Sequence, residues 1–205
     1  MLVIGLTGGI GMGKTSAAAH LRQLGIKVFD ADAYVHRLYE GDAVEAVEAA
    51  FPGTTRDGQV DRAALAKEVA GKPERLRQLE AIVHPMVVAA EIDFLRQQEF
   101  QNAMFAVLEI PLLFETGAES RTDVNIALSA PEDVQRERVL VRLGMTEKKF
   151  EALKARQLSD DERRARADYV VDSGTTLDNL HAQLDQVIES LQTHDGQVME
   201  RLRLH

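Results

Sequence analysis

The chain has 205 residues, of which 45% are hydrophobic and 28% are charged, and it contains no cysteine. These values are typical of one ordinary folded domain, and they argue against a disordered chain, a coiled coil, a disulfide framework or a thiolate metal site. The net charge of −9 argues against a whole surface built for nucleic acid or for an anionic membrane.

The apolar stretches of the chain give no sign of a membrane or secretory route. The first of them, Met1 to Thr7, lacks the preceding Lys or Arg of a signal peptide. The best candidate for a membrane span, Ala103 to Phe114, is too short and contains Glu109. We therefore expect a soluble, cytoplasmic protein with no membrane partner, and the lack of cysteine fits a reducing compartment.

The start of the chain predicts a βαβ-like unit. Leu2 to Thr7 is a short apolar strand, and after a glycine-rich turn a helix runs from Lys14 to Leu24, where Gly25 ends it. Ile26 to Phe29 is a second apolar strand, and helical spacing resumes after it.

The rest of the chain alternates helical stretches with apolar strands. Ala43 to Phe100 is mostly helical and contains no convincing strand. Three further strands are predicted, at residues 105–110, 124–128 and 169–171. An amphipathic helix covers residues 177–191, and the residues from His194 onward are expected to be loosely attached.

Short strands without polar alternation are typical of a parallel sheet that helices cover on both faces. We therefore predict a three-layer α/β fold with a five-stranded parallel sheet, in a single domain whose core comprises residues 1–42, 103–131 and 167–193. The helical stretches 43–102 and 132–166 are predicted to be insertions over the strand ends, where such folds bind their ligands.

The glycine-rich turn spells G-x-x-x-x-G-K-[ST] from Gly8 to Thr15, between a predicted strand and a predicted helix. This is the pattern of a phosphate-binding loop, in which backbone amides and the helix N-terminus surround a polyphosphate. The expected ATP-binding residues are Gly11, Met12, Gly13, Lys14, Thr15 and Ser16. Lys14 would reach the terminal phosphates and Thr15 would bind Mg²⁺, whereas the alternative interpretation is a purely structural turn.

The chain lacks the N-K-x-D run of guanine-specific switch proteins and the L-S-G-G-Q run of transporter ATPases, so a small-molecule kinase is favoured. Asp30 and Asp32 follow the second strand, and we propose Asp32 as the general base for an acceptor hydroxyl. Either aspartate is equally well explained as a helix cap. Glu109, after the third strand, is predicted to hold Mg²⁺ or its waters, or else to be a strand-end carboxylate in water.

A basic segment stands out in this acidic chain. Residues 135–166 hold ten of the 24 Lys and Arg residues and six acidic residues, which gives this segment a net charge of +4 and the remainder −13. Such a segment suits a lid that closes over phosphates, although most of its cations are expected to be solvated. We expect Arg138 and Arg142, four residues apart and so on one helix face, to contact the phosphates. With Phe150 as its one aromatic residue, the segment is not expected to bind nucleic acid.

With these residues in view, the chain resembles the dephospho-CoA kinase family from Leu2 to about Leu191. The resemblance is carried by GLTGGIG at residues 5–11, DAD at 30–32, HP at 84–85, PLLFE at 111–115 and ADYVVD at 167–172. It implies a P-loop kinase-like fold and transfer of the γ-phosphate of ATP to the ribose 3′-hydroxyl of dephospho-CoA, with Mg²⁺.

The resemblance also implies roles for single residues. It places Asp32 at the general-base position, Arg142 at the phosphates and His84 near the acceptor. Leu113 and Phe114 either form the acceptor wall or belong to the core, and a His-Pro pair at a helix start is as often a turn and a cap as a ligand.

Three positions depart from the family pattern: Met12 replaces a usual Ser, Glu109 a usual Asp, and Ser173 a common Asn near the expected adenine pocket. None of these removes a reacting group. Two other functions remain open, namely a kinase for a nucleoside, a nucleotide or shikimate, and a non-catalytic ATP-binding regulator in which closure of the basic segment is a switch.

Overall fold

The computed structural model describes residues 1–203 of the chain. Its strands are β1 (Leu2–Gly8), β2 (Lys27–Asp30), β3 (Thr55–Arg56), β4 (Gln59–Val60), β5 (Phe105–Glu109), β6 (Val124–Ser129) and β7 (Tyr169–Asp172). Its helices are α1 (Lys14–Gln23), α2 (Ala31–Tyr39), α3 (Val44–Ala50), α4 (Arg62–Val69), α5 (Pro73–Phe100), α6 (Glu132–Leu140), α7 (Glu147–Lys154), α8 (Asp160–Arg166), α9 (Leu177–Leu191) and α10 (Val198–Arg203). None of the described helices is both long and apolar enough to cross a membrane.

Five of these strands form one sheet in the order β2-β5-β1-β6-β7 within the described residues. β1 is central and fully buried, and it pairs in parallel with β5 on one side and with β6 on the other. Most residues of β1, β5 and β6 are apolar and buried, as expected for the inner strands of a parallel sheet that is covered on both faces. The predicted α/β fold with a five-stranded parallel sheet is confirmed, and each predicted strand lies within two residues of an observed one.

The chain divides into two compact units, one of which is Met1–Phe29 together with the chain from Leu95 onward. A core of buried side chains from β1, β6, α1 and α9 holds this unit together, including Ile4, Leu21, Ile126 and Leu184. Leu177, the first residue of α9, is 59% exposed, whereas Leu180, Leu184, Ile188 and Leu191 of the same helix are buried.

The second unit, Asp30–Phe94, is mainly helical. The prediction that this stretch contains no strand is wrong, because β3 and β4 form an antiparallel hairpin. Asp57 and Gly58, in its two-residue turn, both have positive φ, as a tight hairpin turn requires. Pro85 lies inside α5, so the interpretation of His84 and Pro85 as a helix start is also wrong.

Residues 194–203 are not loosely attached, contrary to the expectation from sequence, whereas residues 204 and 205 lie outside the described part of the chain. Val198 and Met199 of α10 are buried, and the Asp123 carboxylate accepts hydrogen bonds from the amides of Gln197 and Val198. The same carboxylate accepts from the amide of Val3, in β1, at 2.9 Å. The start of α10 is therefore attached near the start of β1, whereas the glycine-rich turn follows the other end of that strand.

Candidate active site

The glycine-rich turn joins the end of β1 to the start of α1 as the motif predicts. Gly11 and Gly13 both have a φ of 78°, a left-handed conformation that glycine adopts without steric cost. The Lys14 ammonium group donates to the carbonyls of Gly8 at 2.7 Å and Gly9 at 3.3 Å, so the lysine folds back over the loop. Because a helix leaves its first amides without intrahelical acceptors, the start of α1 is suited to bind a phosphate.

Ser173, the residue after β7, hydrogen-bonds to the backbone of the loop. Its hydroxyl lies 2.9 Å from the carbonyl oxygen of Met12 and 3.0 Å from that of Ser129, and the side chain is 3% exposed. Arg138 donates to the Ser173 carbonyl at 2.8 Å. The residue in the position where the family commonly has Asn therefore binds the backbone of the phosphate loop, and Arg138 is tied to the same place.

Two glutamines bind the tip of the loop at Ile10. The Gln157 side-chain oxygen accepts from the Ile10 amide at 3.0 Å, and the buried Gln135 amide group donates to the Ile10 carbonyl at 2.8 Å. Gln135 lies on α6, and Gln157 lies between α7 and α8. The loop is thus attached to the basic segment at two points.

Glu109, the predicted metal residue, is the last residue of β5 and is 7% exposed. It pairs in register with Leu6 of β1, two residues before Gly8, so its strand ends at the edge of the sheet from which the loop leaves. Thr15, the other predicted metal residue, is exposed in the first turn of α1, and Ser16 beside it is half-buried.

The cations of the basic segment differ in their surroundings. Arg163 is 2% exposed and donates to the Leu158 carbonyl at 2.8 Å. Burial lowers the pKa of Arg163, and the nearby carboxylates Glu115 and Asp160 oppose this shift. Glu115 also accepts from the Leu158 amide at 2.8 Å. These bonds fix the backbone next to Gln157.

The prediction that Arg138 and Arg142 share a helix face is wrong. Helix α6 ends at Leu140, so Arg142 lies beyond it in the following turn, where it is exposed. A four-residue spacing predicts a shared face only while the helix continues, and its end two residues earlier was not visible in the pattern. Within residues 1–203, the side chain of Arg138 hydrogen-bonds to a residue that contacts the loop, and that of Arg142 does not.

The remaining predicted residues occupy different places. Leu113 is fully buried against Gly5 of β1, and Phe114 is 4% exposed with the Arg166 guanidinium 4.9 Å from its ring centre.

Asp32 and His84 are exposed residues of the Asp30–Phe94 unit, and their roles toward the acceptor stay predictions. It is Asp30 that caps α2, by accepting from the Ala33 amide at 2.8 Å.

The comparisons with known proteins agree with this loop and this fold. A family model described as dephospho-CoA kinase matches residues 2–179. The chain belongs to the dephospho-CoA kinase family. Dephospho-CoA kinases from Brucella melitensis and Rhodopseudomonas palustris are each 49% identical to this chain, over 93% of its length and 96% of theirs. The resemblance inferred from the motifs is thereby confirmed, and the chain is a kinase of this family.

Solved structures share the fold of this chain. A protein from Thermus thermophilus is 38% identical, with a TM-score of 0.82 over 93% of this chain and 97% of its own. A shikimate kinase from Acinetobacter baumannii, 20% identical with a TM-score of 0.55, covers 95% of this chain and 96% of its own, and it shares the fold alone.

Sequence reasoning missed most of the residues that support the loop. Gln135 and Arg163 carried no signal, because a glutamine or arginine on a polar helix looks like solvated surface. Ser173 was noticed through the family resemblance, but neither its bond to Met12 nor the bond of Gln157 to Ile10 was predicted.

Proposed function

We propose that this chain catalyses the transfer of the γ-phosphate of ATP to the ribose 3′-hydroxyl of dephospho-CoA, which yields coenzyme A and ADP. The observation that carries the proposal is the phosphate loop at Gly8–Thr15, with Lys14 folded over it, in a chain 49% identical to dephospho-CoA kinases. In this reaction the 3′-oxygen forms a bond to the γ-phosphorus, and the bond from that phosphorus to the oxygen of the leaving ADP breaks.

The residues of the loop account for binding and charge stabilisation. Lys14 exchanges the carbonyls of Gly8 and Gly9 for phosphate oxygens, which carry more negative charge and make stronger hydrogen bonds. The amides at the start of α1 bind the inner phosphates. Because the backbone of the loop fixes the direction of these amides, little of their reorganisation opposes the transfer.

Asp32 is the proposed general base, which accepts the proton of the 3′-hydroxyl as the new bond to phosphorus forms. Its position two residues after β2 and its match to the family pattern support this role. Arg142, which is exposed, is proposed to contact the transferred phosphate together with Arg138. His84, Leu113 and Phe114 are proposed acceptor contacts.

Mg²⁺ fits the oxygen donors at this edge of the sheet. Within residues 1–203, no group of three or more acidic or histidine side chains could hold a metal by itself. Mg²⁺ commonly binds one or two protein oxygens together with substrate phosphates, so the Thr15 hydroxyl and the Glu109 carboxylate would suffice. When bound, the ion neutralises charge on the phosphates.

Location and partners complete the proposal. ATP and dephospho-CoA are the proposed small-molecule substrates, in the cytoplasm, where the absence of cysteine suits a reducing medium. A net charge of −9 and the scarcity of aromatic residues in the basic segment support the proposal that nucleic acid is not a partner.

One assay tests the reaction. The purified chain is incubated with ATP, Mg²⁺ and, in separate reactions, dephospho-CoA, nucleosides, nucleotides and shikimate, and ADP is measured. We expect ADP with dephospho-CoA only. ADP formed with another acceptor would identify a different kinase. If no acceptor gave ADP, the result would favour a non-catalytic regulator.

Asp32→Asn tests the base, with Asp30→Asn as its matched control. Loss of a positioned base should lower kcat by about 10² to 10⁴ with little change in ATP affinity. Asp30→Asn also removes a carboxylate, but asparagine caps a helix as well as aspartate does, so its activity should stay close to wild type. Equal activity in the two variants would refute the assignment.

A further inference from the structure

The tip of the phosphate loop is held by side chains from a distant part of the chain. Both polar groups of the Ile10 backbone are hydrogen-bonded, the amide to Gln157 at 3.0 Å and the carbonyl to Gln135 at 2.8 Å. The residues are 147 and 125 positions away from Ile10. Because the Ile10 amide already donates to Gln157, it is not one of the amides offered to phosphate.

The segment that carries Gln157 is itself fixed on both sides. The Gln157 amide donates to the Lys154 carbonyl at 3.0 Å, which ends α7. The next residue, Leu158, donates to Glu115 and accepts from the buried Arg163, each at 2.8 Å. The Gln157 side chain is therefore presented to Ile10 from a rigid backbone.

The loop needs such a support at this point. Ile10 lies between Gly9 and Gly11, and glycines leave the backbone on both sides of it free to rotate. Gly11 has the φ of 78° that starts the left-handed part of the loop. An Ile10 peptide without its two side-chain bonds would sample other orientations, and ATP would have to order it on binding.

We propose that Gln157 is a positioning residue for ATP, which acts through Ile10 and links the basic segment to the phosphate loop. Gln135 supports the same peptide from the opposite side. The proposal deepens the proposed function and rests on it, because it describes how the basic segment acts on the nucleotide site besides supplying charge.

A single substitution can remove the hydrogen bond between Gln157 and Ile10. Gln135 and Gln157 both line an open cavity of about 580 Å³ next to Met12, so a leucine of similar size has room at position 157. Gln157→Leu removes the acceptor, whereas Gln157→Glu keeps one. Gln186→Leu, on the exposed side of α9, is the matched control for the chemical change.

The test measures the Ile10 amide and ATP binding, neither of which requires turnover. Amide hydrogen exchange at Ile10 should become about 3- to 10-fold faster in Gln157→Leu, as expected for one neutral hydrogen bond, and Gln157→Glu should restore the protection. The dissociation constant for ATP should rise about 3- to 10-fold in Gln157→Leu and stay unchanged in Gln186→Leu. In turnover assays the KM for ATP should rise while the KM for dephospho-CoA stays within about twofold.

Unchanged exchange at Ile10 in Gln157→Leu would overturn the proposal. An equal loss of affinity for ATP and for dephospho-CoA would also overturn it, since that pattern indicates general destabilisation. Failure of the proposed function gives a different result, namely no transfer to dephospho-CoA by the wild-type chain, and leaves the exchange and ATP-binding measurements interpretable.

Discussion

At position 11 the phosphate loop comes so close to helix α6 that a side chain has no room. A Cβ atom on Gly11 would lie 2.6 Å from a methyl carbon of Val139 and 2.9 Å from the carbonyl oxygen of Gln135. Gly25 has a similar φ, 83°, but nothing lies within 4 Å of the corresponding point. Both positions require glycine for its positive φ, but only position 11 also requires it because there is no room for a side chain.

Gly11→Ala and Gly25→Ala form a matched pair at the residue scale. Both place alanine in a left-handed conformation, which should cost about 1 to 2 kcal/mol of unfolding free energy in each variant. Only Gly11→Ala must also move the loop away from α6, and displacement of the loop should lower kcat/KM for ATP by about 10²-fold. Urea denaturation and steady-state kinetics measure the two effects, and similar kinetics in both variants would contradict the contact argument.

The residue scale is also where the motif was most informative. The spacing from Gly8 to Thr15 predicted the loop between β1 and α1, because a phosphate loop works through the backbone of consecutive residues. It did not predict Gln135 or Ser173, whose bonds to the loop depend on where α6 and β7 pack.

At the scale of single elements, α10 illustrates how one buried carboxylate attaches a short helix. Asp123, whose side chain is 6% exposed, accepts from the amides of Val3, Gln197 and Val198. Gly196 is needed beside it, because a Cβ there would lie 2.1 Å from the carbonyl oxygen of Met1. The sequence showed only a short polar stretch before Val198.

Asp123→Asn should detach this helix. Asparagine keeps one acceptor but turns an NH₂ group toward at least one buried amide, which should cost about 1 to 3 kcal/mol. Asp195→Asn, at an exposed neighbouring position, should leave stability unchanged. Urea unfolding gives the free energies, and limited proteolysis near residue 195 should accelerate in Asp123→Asn alone. Equal proteolysis of both variants would show that other contacts hold α10.

Element boundaries were the weaker part of the sequence prediction. The β3–β4 hairpin was missed although Asp57 and Gly58 carry the strongest short-range turn signal, because its strands are two residues each. The end of α6 was missed because residues 140–144 contain no proline and the glycine lies last, at Gly144.

At the scale of the whole molecule, three hydrogen-bonded carboxylates are expected to make the stability depend on acid pH. Hydrogen bonds hold three pKa values below their ordinary values of 4.5 for glutamate and 3.8 for aspartate. The main donors are the Gly53 amide for Glu48, the Ala64 amide for Asp61 and the Ser159 hydroxyl for Glu162. A lowered folded pKa contributes stability above the unfolded pKa, and this stability is lost as pH falls through the folded pKa.

The triple variant Glu48→Gln, Asp61→Asn and Glu162→Gln should therefore unfold with a weaker dependence on pH. The amides keep acceptor oxygens for the same donors but do not titrate in this range. Urea unfolding at intervals between pH 3 and pH 7 should give a wild-type free energy that falls below about pH 4.5 and a flatter curve for the variant. Parallel curves would mean that these carboxylates are not the titrating groups.

The sequence by itself determined the class of fold, the phosphate loop and the kinase family. These features depend on residues that are close together in the sequence, namely apolar strands that alternate with helices and short motifs of consecutive residues. Only the tertiary structure decided which side chains hold the loop in shape. Gln135, Gln157 and Ser173 reach Ile10 and Met12 through the packing of α6, the segment after α7 and the pairing of β6 with β7. Contacts between residues more than a hundred positions apart leave no periodic trace in the chain, because their geometry comes from the assembled sheet.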